Sequence, residues 1–532
     1  MEKISDRVIL FIKNLKNHMT SLISITIYFA IIKLLIHLFT NGQYGYFRDE
    51  LYYLATSQHL DWGYVDFPPL IAIITKFITT FIGTSLQAIR FLPAIAGALN
   101  VLLTGLIAKE FGGRYFAIVL ACLSVLVAPI YLGLDTFLSM NAFEPIFWMG
   151  IVYFIILAIN RNEPRFWLGA GMLAGLGILN KYPIILFISG IFIGLLLSKE
   201  YKHSYLSDRY DRWFRIAGLI TFLIILPNII WQYQHNWPMI EVMQNVATTG
   251  KNVVLSPLEF VISQIMILHP FTAPVWIAGL IFFFFDKRGK SYRMFGIAYI
   301  VILVIMLGTN SKNYYIQSSY PMLFAGGAVF WEKILDGKYI KSNLNLTKLL
   351  KPVYIIVMII GGVILAPMAL PVLSIDDYIK YQQTFGEPPK TEVGHIGPLP
   401  QLYSDMFGWP EMVETVANVY NNLPPEERAK AAIVARNYGE AGAIDFFGPN
   451  YGLPKAISGH QNYYLWGPRN YTGEILILLG MSQEDTNLCK SVEERENVGH
   501  PYAMSYEHYT ILICRDLKGG LQENWPKMKR WN

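Results

Sequence analysis

Two adjacent carboxylates after an arginine, in Tyr46-Phe47-Arg48-Asp49-Glu50-Leu51-Tyr52-Tyr53, are the residues best suited to move a proton. A carboxylate held beside a cation and among aromatic rings is what a general base needs to strip a proton from an incoming hydroxyl. Carboxylates also suit the positive end of a helix, so a plain capped N-terminus accounts for the same pair. Further on, Asp61-Trp62-Gly63-Tyr64-Val65-Asp66-Phe67-Pro68-Pro69 adds Asp61 and Asp66 to an aromatic, proline-stiffened stretch. Sugar sites and interfacial anchors share that composition. Two lysines sit beside tyrosines, in Asn180-Lys181-Tyr182-Pro183 and in Ser311-Lys312-Asn313-Tyr314-Tyr315. Such cations suit a lipid phosphate, and they equally suit snorkelling to head groups, as does Lys76. His269 lies between apolar residues and Pro270, and Lys33 and His37 are one helical turn apart.

These residues need elements to hold them, and composition says of what kind. Charged residues make up only 15% of the 532 residues and hydrophobic ones 53%, too apolar for a soluble enzyme, in which charge runs nearer about a quarter. Mean hydropathy is +0.36. Apolar runs long enough to cross a bilayer recur up to about position 372 and then stop. We read eleven spans, with room for up to thirteen, at 21–39, 90–108, 115–133, 143–159, 166–179, 183–198, 213–231, 264–285, 294–308, 318–334 and 352–372. The first is an uncleaved span, because its apolar stretch is long and lacks a small-residue cleavage site.

An odd span count puts the two ends on opposite sides. With the N-terminus inside, the cytoplasmic segments hold 22 basic residues, among them Lys3, Arg7, Lys13 and Lys16, whereas the outward loops hold only Arg48, Lys76, Lys181, Lys251 and Lys312. Lysine and arginine resist translocation in short loops, so the C-terminal region is expected outside. The exceptions coincide with the candidate chemistry. His269 lies about sixteen residues before the inner end of its span, about 24 Å at 1.5 Å per residue, which places it near the outer rim. Lys33 and His37 lie near the outer end of the first span. A lysine at mid-bilayer costs about 2.5–3.5 kcal/mol, which makes the pair a functional candidate, although snorkelling outward relieves Lys33.

The longest outward loop before the soluble region is 40–89, with expected helices at 49–59 and 69–82. Residues 374–532 suit one water-soluble α/β domain, with strands expected at 431–435, 475–479 and 510–514 and helices at 412–420 and 440–447. Cys489 and Cys514 pair if that domain faces an oxidising compartment, and stay as two buried thiols otherwise. The sequence has no phosphate-binding loop, dinucleotide fingerprint, nucleophile elbow or zinc-ligand spacing. The net charge of +5 is dispersed through membrane loops, so no nucleic-acid partner is expected.

The chain resembles the polyprenyl-phosphate-sugar glycosyltransferases of the GT-C fold, which include protein O-mannosyltransferases and lipid A aminoarabinose transferases. The resemblance rests on Arg48-Asp49-Glu50, the stretch from Gly63 to Pro69, Arg90-Phe91-Leu92-Pro93-Ala94, Asn180-Lys181-Tyr182, and Lys312-Asn313-Tyr314-Tyr315 leading into Tyr320-Pro321. Asn437-Tyr438-Gly439-Glu440-Ala441-Gly442 and Ser458-Gly459-His460 are similar to the outer domain of a bacterial and archaeal subgroup, a domain without an assigned role. The resemblance implies a GT-C-like membrane domain over 1–373 and an extracytoplasmic α/β domain over 374–532.

It further implies inverting transfer of a sugar from a polyprenyl phosphate to a hydroxyl, with Asp49 as base and Glu50 in support. Arg48, Lys181, Lys312, Tyr314, Tyr315, His269 and Asp66 would bind the donor. Many members carry a second aspartate before the fourth span. This chain has Ser139-Met140-Asn141-Ala142-Phe143-Glu144, so Asn141 and Glu144 form a second polar candidate. No resident cofactor or metal site is implied, and assistance by a divalent cation is left open. The partners are the lipid-linked donor as co-substrate, membrane lipids and an acceptor of unknown kind. A transporter or lipid flippase would share the span count, but transporters show related halves and charges near the midplane. A receptor using the outer domain is the third reading.

Overall fold

In a computed structural model, residues 21–197, 208–250, 253–337, 344–386, 397–482 and 486–532 are described. Lys3, Arg7, Lys13, Lys16 and Lys251 lie outside them. The chain divides into two compact units. The first holds residues up to Asn41, Arg90–Leu226 and Val254–Val372, and the second holds Gly42–Ile89, Pro227–Val253 and Leu373–Asn532. The first outer loop, expected from its place in the chain to belong with the membrane part, thus packs in one unit with the C-terminal region.

The first unit is helical. Each expected span falls on a helix, and six helices among the described residues are long and apolar enough to cross a membrane, or seven with one bent pair. The others are shorter, such as Trp167–Asn180 and Tyr320–Leu335. Two expected spans are broken where prolines interrupt the backbone ladder. The run at 115–133 becomes Tyr115–Val127 and Pro129–Leu134. The run at 264–285 is not a straight helix: Pro257–Ile267 and Pro270–Phe285 meet at 97°, and His269 between them takes a φ of 79° ahead of Pro270.

Close approach of backbones, rather than large side chains, joins some of these helices, as expected where lipid competes equally for apolar surface. A Cβ at Gly327 would lie 1.8 Å from the Val275 carbonyl oxygen, and one at Gly279 would lie 2.2 Å from that of Leu323. The helices Ala273–Phe285 and Tyr320–Leu335 therefore meet only because glycine stands at both positions. Buried Glu332 caps the helix Tyr115–Val127 by accepting from the amides of Arg114 at 2.8 Å and Ala117 at 3.1 Å. The two ends of the first outer loop are clasped: Asn41 Nδ2 donates to the Arg90 carbonyl at 2.8 Å, and the buried Arg90 guanidinium returns a bond to the Asn41 carbonyl at 3.2 Å.

The second unit contains the loop helices Arg48–Thr56 and Leu70–Phe81, the helix Pro238–Thr249, and a four-stranded sheet. Its strands are β1 (Ala431–Val434), β2 (Ile475–Leu478), β3 (Cys489–Val498) and β4 (Tyr509–Leu517), in the order β1-β2-β4-β3. β1 and β2 are parallel, and β4 runs antiparallel to both of its neighbours. Fully buried β1 and β2 are short apolar runs, as strands covered on both faces must be. β3 has no counterpart among the expected strands. Its sequence, Cys-Lys-Ser-Val-Glu-Glu-Arg-Glu-Asn-Val, is charged because it forms an exposed sheet edge, where charge deters further pairing. Cys489 on β3 and Cys514 on β4 form a disulfide, which settles the pairing left open by the sequence.

Candidate active site

Asp49 stands in the first turn of the helix Arg48–Thr56, half-buried. Its Oδ1 accepts a 2.8 Å hydrogen bond from the phenol of Tyr438, at the start of the helix Tyr438–Phe447. The Tyr438 ring is stacked on Tyr52 at 4.5 Å and on His460 at 5.0 Å, and its amide donates to His460 Nδ1 at 3.1 Å. Tyr52 donates in turn to Asp66 Oδ1 at 3.0 Å and accepts from the Asn462 amide at 3.0 Å. Two carboxylates are thus each held by a phenol, and the two phenol rings lie face to face.

Loss of solvent, resisted by the Tyr52 bond and reinforced by the charge of Asp49, pushes the Asp66 carboxyl up to about 7. Burial holds the phenols of Tyr52, Tyr53 and Tyr438 well above their ordinary range, so they stay protonated, and Tyr52 and Tyr438 donate. Glu50 acts locally, its Oε2 accepting from the Phe47 amide at 2.8 Å and so closing the helix start. Arg48 donates to the Tyr506 hydroxyl, lies 3.6 Å from Asp405 Oδ2, and holds its guanidinium carbon 5.6 Å from the Tyr438 ring centre.

The first unit holds a second cluster. Lys181, at the end of the helix Trp167–Asn180, donates to Asn141 Oδ1 at 2.6 Å and lies 3.6 Å from Glu144 Oε2. Its ammonium sits 4.3 Å from the ring centre of Tyr315 and 5.8 Å from that of Tyr314. Asn141 and Glu144 occupy the first turns of the helix Met140–Asn160, and their three-residue spacing turns both toward the same lysine. Lys312 is half-buried at the turn before Tyr314 and pairs with no carboxylate among the described residues. His269 is buried at the bend, with Nδ1 accepting from the Phe271 amide at 3.2 Å; no contact joins it to the Lys181 cluster among the described residues.

Lys33 does not snorkel outward. It is fully buried, 2.9 Å from Asp135 Oδ2, and donates to the Tyr131 carbonyl at 2.9 Å. Pairing offsets the cost that snorkelling would otherwise have relieved. His37 is buried beside it, and neither ring nitrogen has a hydrogen-bond partner among the described residues. Asp135, Tyr438, His460, Asn462 and Asp405 are partners of the candidate residues that sequence reasoning misses. Tyr438 and His460 lie in stretches that carry the resemblance, but nothing local to them points at Asp49. Among the described residues, no group of three or more histidine, cysteine, aspartate or glutamate side chains could hold a metal ion.

Helix order, broken spans and the small α/β sheet define a multi-pass membrane protein of the GT-C fold, in line with the motif resemblance. Residues 66–231 match the family model described as dolichyl-phosphate-mannose-protein mannosyltransferase. Two crystal structures of ArnT from Cupriavidus metallidurans are similar, at 13% identity. One, bound to undecaprenyl phosphate, aligns with a TM-score of 0.56 over 91% of this chain and 97% of its own. The other, in the apo state, aligns with a TM-score of 0.55 over 92% and 97%. Arabinofuranosyltransferase AftD from Mycobacteria aligns with a TM-score of 0.52 at 11% identity, over 94% of this chain and 40% of its own. At such identities the likeness establishes the fold. A search of curated protein sequences returns no match.

Proposed function

We propose that the protein is a membrane glycosyltransferase that moves a sugar from a polyprenyl-phosphate donor to a hydroxyl acceptor, on the extracytoplasmic side and with inversion. The observation that carries this reading is the state of Asp49: Oδ1 is held by a neutral phenol, while Oδ2 accepts no hydrogen bond among the described residues. A carboxylate so held is oriented yet keeps an oxygen for an acceptor proton. In the reaction Asp49 takes that proton as the acceptor oxygen bonds to the anomeric carbon. The bond from that carbon to the phosphate oxygen breaks, and the lipid phosphate leaves with the electron pair.

Lys181, with Lys312 in the same unit, supplies the type of charge that stabilises such a leaving group. The family match over 66–231 and the undecaprenyl phosphate bound by the ArnT relative favour a lipid-linked donor. The charge bias of the loops and the Cys489–Cys514 disulfide favour an extracytoplasmic C-terminal region. The test is to offer purified protein in lipid nanodiscs a panel of polyprenyl-phosphate sugars and follow donor loss by mass spectrometry. Consumption of at least one donor with release of polyprenyl phosphate is expected. No turnover, together with transport of donor across vesicles, would overturn the reading.

A further inference from the structure

The stretch Asn437-Tyr438-Gly439-Glu440-Ala441-Gly442 is built to bring one helix onto another. Asn437 caps the helix Tyr438–Phe447, its Oδ1 accepting from the amides of Gly439 at 2.8 Å and Glu440 at 3.0 Å. Glu440 Oε2 reaches back to the amides of Arg436 at 2.6 Å and Asn437 at 3.3 Å. Gly439 and Gly442 form the contact face toward Arg48–Thr56: a Cβ at Gly439 would meet Arg48 Cγ at 2.5 Å, and one at Gly442 would meet the Leu51 carbonyl at 2.9 Å. The two helices approach this closely only without side chains there, and the approach is what delivers the Tyr438 phenol to Asp49.

We propose that the C-terminal α/β segment completes the acceptor-activating site, with Tyr438 as the positioning residue that fixes the Asp49 carboxylate and leaves Oδ2 to the acceptor. This deepens the glycosyl-transfer reading and rests on it. The chemistry of the partner matters. A lysine or arginine bonded to Asp49 would fix it equally well but would cancel much of its charge and basicity, whereas a phenol orients the carboxylate and stays neutral. Arg48 is directed elsewhere, to Tyr506 and Asp405. Stacking on Tyr52 and His460 sets the direction of the Tyr438 ring, so the position of Asp49 Oδ1 is dictated by residues about 390 positions later in the chain.

Tyr438→Phe keeps the ring stacks and deletes only the donated bond. With a donor that the wild-type protein consumes, kcat is expected to fall about 10- to 100-fold, the worth of a hydrogen bond to a charged group, with donor KM within about twofold. The acidic limb of the pH–rate profile should move to higher pH, because a donor that favours the ionised carboxylate is gone. Unchanged kcat and an unmoved acidic limb would overturn the proposal while leaving the glycosyl-transfer reading intact. Wild-type protein inert toward every donor would overturn that reading, and the assigned positioning role with it. A readout independent of turnover is the infrared carboxylate band that Asp49→Asn removes: its titration midpoint should rise in Tyr438→Phe, and a midpoint that stays put overturns the proposal.

Discussion

The Asp49 cluster of the second unit and the Lys181 cluster of the first are stabilised by opposite means. Asp49 and Asp66 are each held by a neutral phenol, Tyr438 and Tyr52, that brings no countercharge to the carboxyl group. Lys181 is surrounded by an amide oxygen, a buried carboxylate and two aromatic faces, each presenting negative potential to it. The difference teaches that an acidic group and a cation in one chain are set apart by the charge their partners carry. A base needs orientation without neutralisation. A cation at the end of an apolar helix needs compensation to be kept at all.

Removing the proposed base should have the largest effect. Asp49→Asn is expected to lower kcat about 10³-fold with the fold retained, measured as donor consumption in nanodiscs. Activity at the wild-type level would leave the Tyr438 bond without a chemical role. Next comes the cation: Lys181→Gln should cost about 100-fold in kcat/KM, as expected for loss of one charge-stabilising donor, and Lys181→Arg should recover part of it. If both lysine variants kept full activity, the contrast between the clusters would be one of packing alone.

Gly442→Ala forces a Cβ against the Leu51 carbonyl and should lower stability by about 1–3 kcal/mol, read as a lower melting temperature. The smallest effect is on pH dependence. With its carboxyl pushed up to about 7, Asp66 keeps a proton in the folded protein that the unfolded chain has released. Stability from this group is therefore lost as pH rises from about 4 to about 7. Asp66→Asn should show a smaller drop in melting temperature between about pH 5 and about pH 7.5 than wild type. An equal drop would mean that the Asp66 carboxyl does not contribute to the pH dependence of stability.

What is local is legible in the sequence. Apolar runs locate the helices of the first unit, because each must satisfy lipid along its own length, and the strands β1 and β2 are visible because burial on both faces makes them continuous apolar runs. The spacing of Asn141 and Glu144 anticipates a shared partner. The bend at His269 carries only Pro270 as a signal, and a proline at that point equally suits the first turn of a helix. β3 is hidden by its charges. The partners of Asp49 and Lys33 are beyond reach, since nothing in a single sequence says that Tyr438 or Asp135 will fold back on a residue so distant along the chain.

The buried Lys33–Asp135 pair has a consequence for the order of synthesis. Asp135 emerges about a hundred residues after Lys33, an interval of roughly 5–20 s at ribosomal speed. During that interval the first span carries a cation without its carboxylate partner, and only snorkelling toward the outer rim can relieve it. The segment Pro129–Leu134 and the aspartate behind it therefore complete the surroundings of the first helix only once they have followed it out of the ribosome.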